Sequence, residues 1–148
     1  MDYRRLTLAA FLALGVRLMF GILVWITPFA DEFAKYPTLL RPMPLYRDNV
    51  PLTLAGWFVA VLVLAIVFAK GYAGGNGALE GFRFGSLMAF FCVGFVSMSL
   101  YAQLNIGLRM AVMGGAQLFL EMVLIGTVIG AAYEPDRRSS APKLVQAA

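Results

Sequence analysis

The chain contains no histidine and only one cysteine, Cys92. Without histidine it lacks the commonest general base, the commonest metal ligand and the usual proximal haem ligand. One thiol can close no internal disulfide and build no thiolate metal site. Cys92 sits inside an apolar run, where cysteine behaves as a small apolar side chain. The eight methionines show no ligand spacing and read as gap fillers. Charge is also scarce, at 14% of residues, where soluble domains carry about 25%. The net charge is +4, but no basic stripe is interleaved with aromatics, so nucleic acid is not an expected partner. No nucleophile, base or ligand cluster stands out. The expectation is a protein that is not an enzyme, with no metal and no cofactor.

What the chain has in abundance is apolar surface. Hydrophobic residues make up 61% of its 148 residues, with a mean hydropathy of +0.79. A soluble domain this short could not hide that much, whereas lipid solvates it directly. Four runs, at 6–29, 51–70, 82–104 and 107–132, each suffice to cross a hydrocarbon core of about 30 Å as a helix. The expected fold class is therefore all-α, a single integral membrane bundle of four transmembrane helices over 1–148.

The first run follows the basic start MDYRR and ends near Trp25 and Pro28. It resembles a signal peptide only superficially. It is about twice the usual length of a signal core, Arg17 interrupts it, and Pro28-Phe29-Ala30 is a poor cleavage site, so an uncleaved helix is expected. Residues 30–50 read as a polar loop. Pro37, Pro42 and Pro44 discourage a helix, and Tyr36 and Tyr46 suit the membrane–water interface. Pro51 fits the first turn of the second helix, and Lys70 fits the negative end of its dipole. GYAGGNGALEG reads as a flexible turn. It lacks the phosphate-loop pattern and follows no β-strand. Glu80 and Arg83 stand three apart at the next helix start, able to pair or to serve as a solvated cap. Gln103–Gly107 forms a tight turn, and the tail 134–148 reads as flexible. There is no internal repeat.

Two opposite charges lie deep in apolar runs. Arg17 and Glu121 each sit roughly 18 Å inside their helices, counted from Arg5 and Tyr133 at about 1.5 Å per residue. With both ends on one side of the membrane, the two share a depth, and pairing relieves the cost of a lone intramembrane charge. Ala10, Ala13 and Gly21 on the first helix permit close approach. Gly114, Gln117 and Glu121 share a face of the fourth helix, and Gly94, Ser97 and Tyr101 a face of the third. Arg17, Glu121, Gln117, Ser97 and Tyr101 therefore form an expected polar cluster, either a structural ion pair or a proton- or substrate-binding centre. Gly126 and Gly130, with Gly115 nearly in line, form a second stripe roughly 140° or more around from Glu121. Gly81 and Gly85 repeat the spacing on the third helix. Such stripes suit helix–helix contact, within the chain or with a partner.

The stretches KGYAGGNGALEGFRFG, at 70–85, and SLYAQLNIG, at 99–107, resemble a group of small uncharacterised bacterial membrane proteins. That resemblance implies a four-helix membrane protein and supplies no catalytic residue. The functional expectation is a structural or accessory subunit of a larger membrane assembly, with membrane lipid and protein subunits or a second copy as partners. The rival is a small proton-linked carrier or permease centred on Arg17 and Glu121.

Four spans put both ends on one side. Arg4, Arg5, Lys70, Arg83, Arg137, Arg138 and Lys143 then share that side, against Lys35, Arg41, Arg47 and Arg109 opposite. The basic excess predicts cytoplasmic termini in the inner membrane. Reporter fusions at the C-terminus and within 36–46 should report opposite compartments, the C-terminal one cytoplasmic. A C-terminal reporter active only outside the cytoplasm would reverse this topology.

Overall fold

A computed structural model describes residues 3–26, 28–39 and 43–133. The tail 134–148, with Arg41 and Pro42 of the expected loop, lies outside the described residues, as do the side chains of Trp25 and Tyr46. The elements are α1 (Tyr3–Trp25), α2 (Pro28–Ala34), α3 (Met43–Gly71), α4 (Gly77–Cys92), a π-helical turn (Val93–Ser97), α5 (Met98–Gln103) and α6 (Leu108–Tyr133). With α4, the π turn and α5 taken as one span, four helices are long and apolar enough to cross a membrane. The protein is an all-α, multi-pass membrane bundle.

Two boundaries differ from the sequence expectation. The polar stretch 30–50 is largely helical, because α2 runs to Ala34 and α3 already starts at Met43. Hydropathy marks where the apolar run ends, and a helix can extend past it through polar turns. Pro51 consequently lies inside α3 rather than at its start. It cannot donate a backbone hydrogen bond, and side chains on either side of it bond back to the preceding turn. Asn49 Nδ2 donates to the Leu45 carbonyl at 2.7 Å and Thr53 Oγ1 to the Asn49 carbonyl at 3.0 Å. In α2, residues 29, 32 and 33 recur at helical spacing. Phe29 and Phe33 pack with tilted rings whose centres are 4.9 Å apart, and Phe29 and Glu32 are buried.

The glycine-rich turn is held by its own side chains. Asn76 Oδ1 accepts from the Leu79 N–H at 2.9 Å and caps α4. Glu80 accepts from the Ala73 and Gly75 N–H groups, at 3.0 and 2.7 Å. The Glu80 carboxylate thus serves the turn backbone rather than Arg83. Only Gly74 needs its freedom of φ, at +88°.

The central element is α6, which presents two different faces. One face, through Glu121, Ile125 and Ile129, packs on α1 and α3. There Leu6, Ala9, Ala10 and Ala13 of α1 meet Val61, Ala65 and Phe68 of α3 in a dry core. Phe68, Tyr72, Phe84 and Tyr133 close it at the end where α1 begins and α6 finishes, hereafter the basal end. The opposite face of α6 carries Gly126 and Gly130 and packs on Gly77, Gly81 and Gly85 of α4. This is the most extensive helix–helix contact in the bundle. Backbone touches backbone. A Cβ on Gly126 would stand 2.5 Å from the Gly85 Cα, and one on Gly130 would run into the Gly77 carbonyl oxygen. Gly115 continues the contact less tightly, against Val93 and Ser97.

Even one methyl group at this crossing must push the helices apart. Overpacking costs about 1–3 kcal/mol where neighbours can give, and a backbone gives little. Gly126→Ala should lower the thermal midpoint of the detergent-solubilised protein, and Gly126→Leu should abolish folded recovery. An unchanged midpoint in Gly126→Ala would show that α4 and α6 do not meet there.

Candidate functional site

The inner stripe of α1 runs 6, 10, 13, 17, so the position above Ala13 is Arg17. The matching stripe on α3 runs 57, 61, 65, 68, and that on α6 runs 121, 125, 129. Where the small-residue core stops, the next layer is therefore Arg17, Trp57 and Glu121. Arg17 lies about 21 Å along α1 from Tyr3, Trp57 about 21 Å along α3 from Gly71, and Glu121 about 18 Å along α6 from Tyr133, at about 1.5 Å per residue. The three are level.

Arg17 Nε lies 2.8 Å from Glu121 Oε1, with side chains 22% and 4% exposed. The guanidinium carbon stands 4.1 Å from the centre of the Trp57 ring, a cation–π contact. Glu121 Oε1 is fully buried yet makes no proper hydrogen bond among the described residues. At 2.8 Å from Nε this means that the oxygen lies off the N–H direction. Attraction between the charges, more than hydrogen-bond geometry, holds the pair. Gly21 leaves the guanidinium room, since a Cβ there would still stand 3.8 Å from Nη1.

The pair forms the floor of a cavity of about 280 Å³ between α1, α2, the π turn, α5 and α6. Gly114, Gln117 and Ser97 line it with the pair, and Phe29, Phe33 and Leu39 form its roof. The sequence-predicted cluster thus assembles with one exception. Tyr101 is not in it. Ser97 sits on the ridge where the third span crosses α6, and it borders grooves on both sides. Leu100 and Tyr101, three and four residues on, fall to opposite sides of that ridge, and Tyr101 enters the other groove. That groove, about 610 Å³, is apolar and lined by Phe90, Met98, Leu108 and Phe119 among others. At 100° per residue, positions three and four on from Ser97 lie on either side of it.

Two parts of the site escaped the sequence reading. Nothing local in the sequence marks Trp57, and only its place on the 57, 61, 65, 68 stripe points to it. The other part is α2 itself. Its buried Glu32 carboxylate accepts from Lys35 Nζ at 2.7 Å and faces Arg109 Nε at 3.5 Å. The Gly107 N–H donates to the Tyr36 hydroxyl at 2.9 Å. These contacts strap α2 over the α5–α6 turn and roof the cavity. The spacing of Glu32 and Lys35 was the available signal. Among the described residues no group of three or more Cys, Asp or Glu side chains could hold a metal ion.

No family model, no characterised protein and no solved structure matches the chain.

Breaking a buried pair by removing one partner costs about 3–5 kcal/mol, because the other charge is left unpaired. Arg17→Leu and Glu121→Leu should each lose that much stability. The double variant should lose less than the sum. Additive losses, measured as folded protein surviving in detergent, would show that the charges do not interact.

Proposed function

We propose that this is a non-enzymatic protein of a bacterial inner membrane that binds and passes a small polar solute at Arg17 and Glu121. The observation that carries this reading is the ion pair at the foot of an open cavity. A pair serving only to fix helix register needs no such space, and intramembrane charges bordering cavities mark substrate or ion pathways. The bundle is also asymmetric about the pair. Towards the basal end, Ala10, Ala13, Val61, Ala65, Ile125 and Ile129 close it. Towards α2 the pair borders the cavity, which a short strapped helix roofs. A site sealed by a packed core on one side and by a single short helix on the other fits one half of an alternating-access cycle.

A second reading, an accessory subunit of a larger assembly, is favoured by a different face. Leu87, Phe90, Phe91 and Phe95 project from the third span away from the core, all exposed. A partner helix or lipid would cover them.

One-sided access is the test. In a Cys92→Ala background, a small charged methanethiosulfonate should modify Gln117→Cys when added on the α2 side and not from the other side. Ala65→Cys should stay unmodified from both. Gln117→Cys that resists the reagent from both sides in folded protein would end the solute-site reading.

A further inference from the structure

We propose that the ligand of this cavity is a small monocarboxylate, and that each one bound brings a proton onto Glu121. The inference rests on the solute-site reading and names the chemistry of its ligand.

The first ground is the unused edge of Arg17. A guanidinium carries five N–H donors. The Nε side faces Glu121 and one face of the guanidinium lies on the Trp57 ring. No acceptor among the described residues takes the four Nη hydrogens. A carboxylate is the planar two-oxygen acceptor that matches that edge.

The second ground is size and lining. About 280 Å³ corresponds to roughly nine waters at about 30 Å³ each, room for an acid of about ten heavy atoms. Phe29, Phe33, Leu100, Met110 and Leu118 line the space beyond the pair. One charged end and one apolar body fit. A dicarboxylate does not, because the lining offers its second charge no cation.

The third ground is charge balance. Arg17 and Glu121 together are neutral, and they are the only charged side chains lining the cavity among the described residues. Of the elements packed around Glu121, α3 presents Trp57, the π turn Ser97, and α2 Phe29 and Phe33, none of which titrates. Glu32, Lys35 and Arg109 are engaged with one another at the α2 end. An arriving anion would leave the site at −1 in a low-dielectric region. A proton from water, taken by the Glu121 carboxylate, restores neutrality. Arg17 then pairs with the ligand and Glu121 stands by as a neutral acid, with no covalent bond made or broken between ligand and protein. A zwitterion fits less well, because its ammonium would have to strip its water to reach a carboxylate only 4% exposed.

The test uses the full chain in nanodiscs with Trp25→Phe, so that Trp57 fluorescence reports the site. Benzoate is titrated between pH 8 and 6, where it stays ionised. Uptake of one proton should tighten its apparent affinity about tenfold per pH unit of acidification. Glu121→Gln, which needs no proton, should bind benzoate at pH 8 more tightly than the parent and equally across the range. Arg17→Gln with Glu121→Gln, neutral and therefore foldable, should not bind. Affinity independent of pH in the parent would overturn the proposal. A response to benzylammonium or phenylalanine but not benzoate would overturn the carboxylate and leave the solute site standing. A response to palmitate alone would overturn the small-acid ligand and place the carboxylate source in the bilayer. No response to any of these, with Gln117→Cys still modified from the α2 side, overturns this inference only. Loss of that modification as well removes the reading beneath it.

Discussion

Two opposite charges at mid-membrane depth set the geometry of this protein. An isolated arginine or carboxylate at mid-membrane depth costs from about 3 kcal/mol upwards, so Arg17 and Glu121 must find each other. Their contact at 2.8 Å ties α1 to α6 in a single axial register, since a shift of one turn would separate them by about 5 Å. Trp57 then places α3 against the same layer through the face of its ring. With that side of α6 taken by α1 and α3, its other side is left for α4. The glycines there allow an approach that any side chain would prevent.

Below and above this layer the bundle differs because the residues on one stripe change size. On α1 the series passes from Ala9, Ala10 and Ala13, all fully buried, to Arg17. Alanines let three helices converge. An arginine lying across an indole does not. The helices therefore separate towards α2, and the third span departs further where the π turn interrupts its α-helical register at Val93–Ser97. Cavity and ion pair have one cause, since the groups that must be accommodated there also hold the walls apart.

The spans, the pair and the glycine stripes were legible in the sequence because each follows from a local rule. Length and hydropathy mark a span, equal depth matches Arg17 with Glu121, and spacing of four groups Gly81 with Gly85 and Gly126 with Gly130. What was not legible depended on rotation and on polar helix. Gly94, Ser97 and Tyr101 share a face of a regular α-helix, yet α6 crosses that face at Ser97, and Tyr101 falls on the far side of the crossing. The stretch around Pro37, Pro42 and Pro44 reads as loop because proline and charge dominate it. The helix at Pro28–Ala34 owes its place to tertiary contacts, through Phe29, Glu32 and Tyr36, that no window of sequence contains. Trp57 was hidden for a similar reason. Its role comes from Arg17, on another helix.

The form of the ion pair also bears on what the site can do. Arginine and a carboxylate bind most strongly as a two-pronged fork, both Nη or one Nη with Nε engaged and the N–H bonds aimed at the oxygens. Here the close contact is between Nε and Glu121 Oε1, at 2.8 Å and off the N–H axis. Such a pair neutralises two charges without using most of their hydrogen-bonding capacity. A fork would lock α1 to α6 more firmly but would close the edge of Arg17 that faces the cavity. On the proposed reading, that unused capacity is the functional property. A ligand oxygen can engage Arg17 before Glu121 has to let go, so exchange need not pass through a state in which either charge stands alone in the membrane.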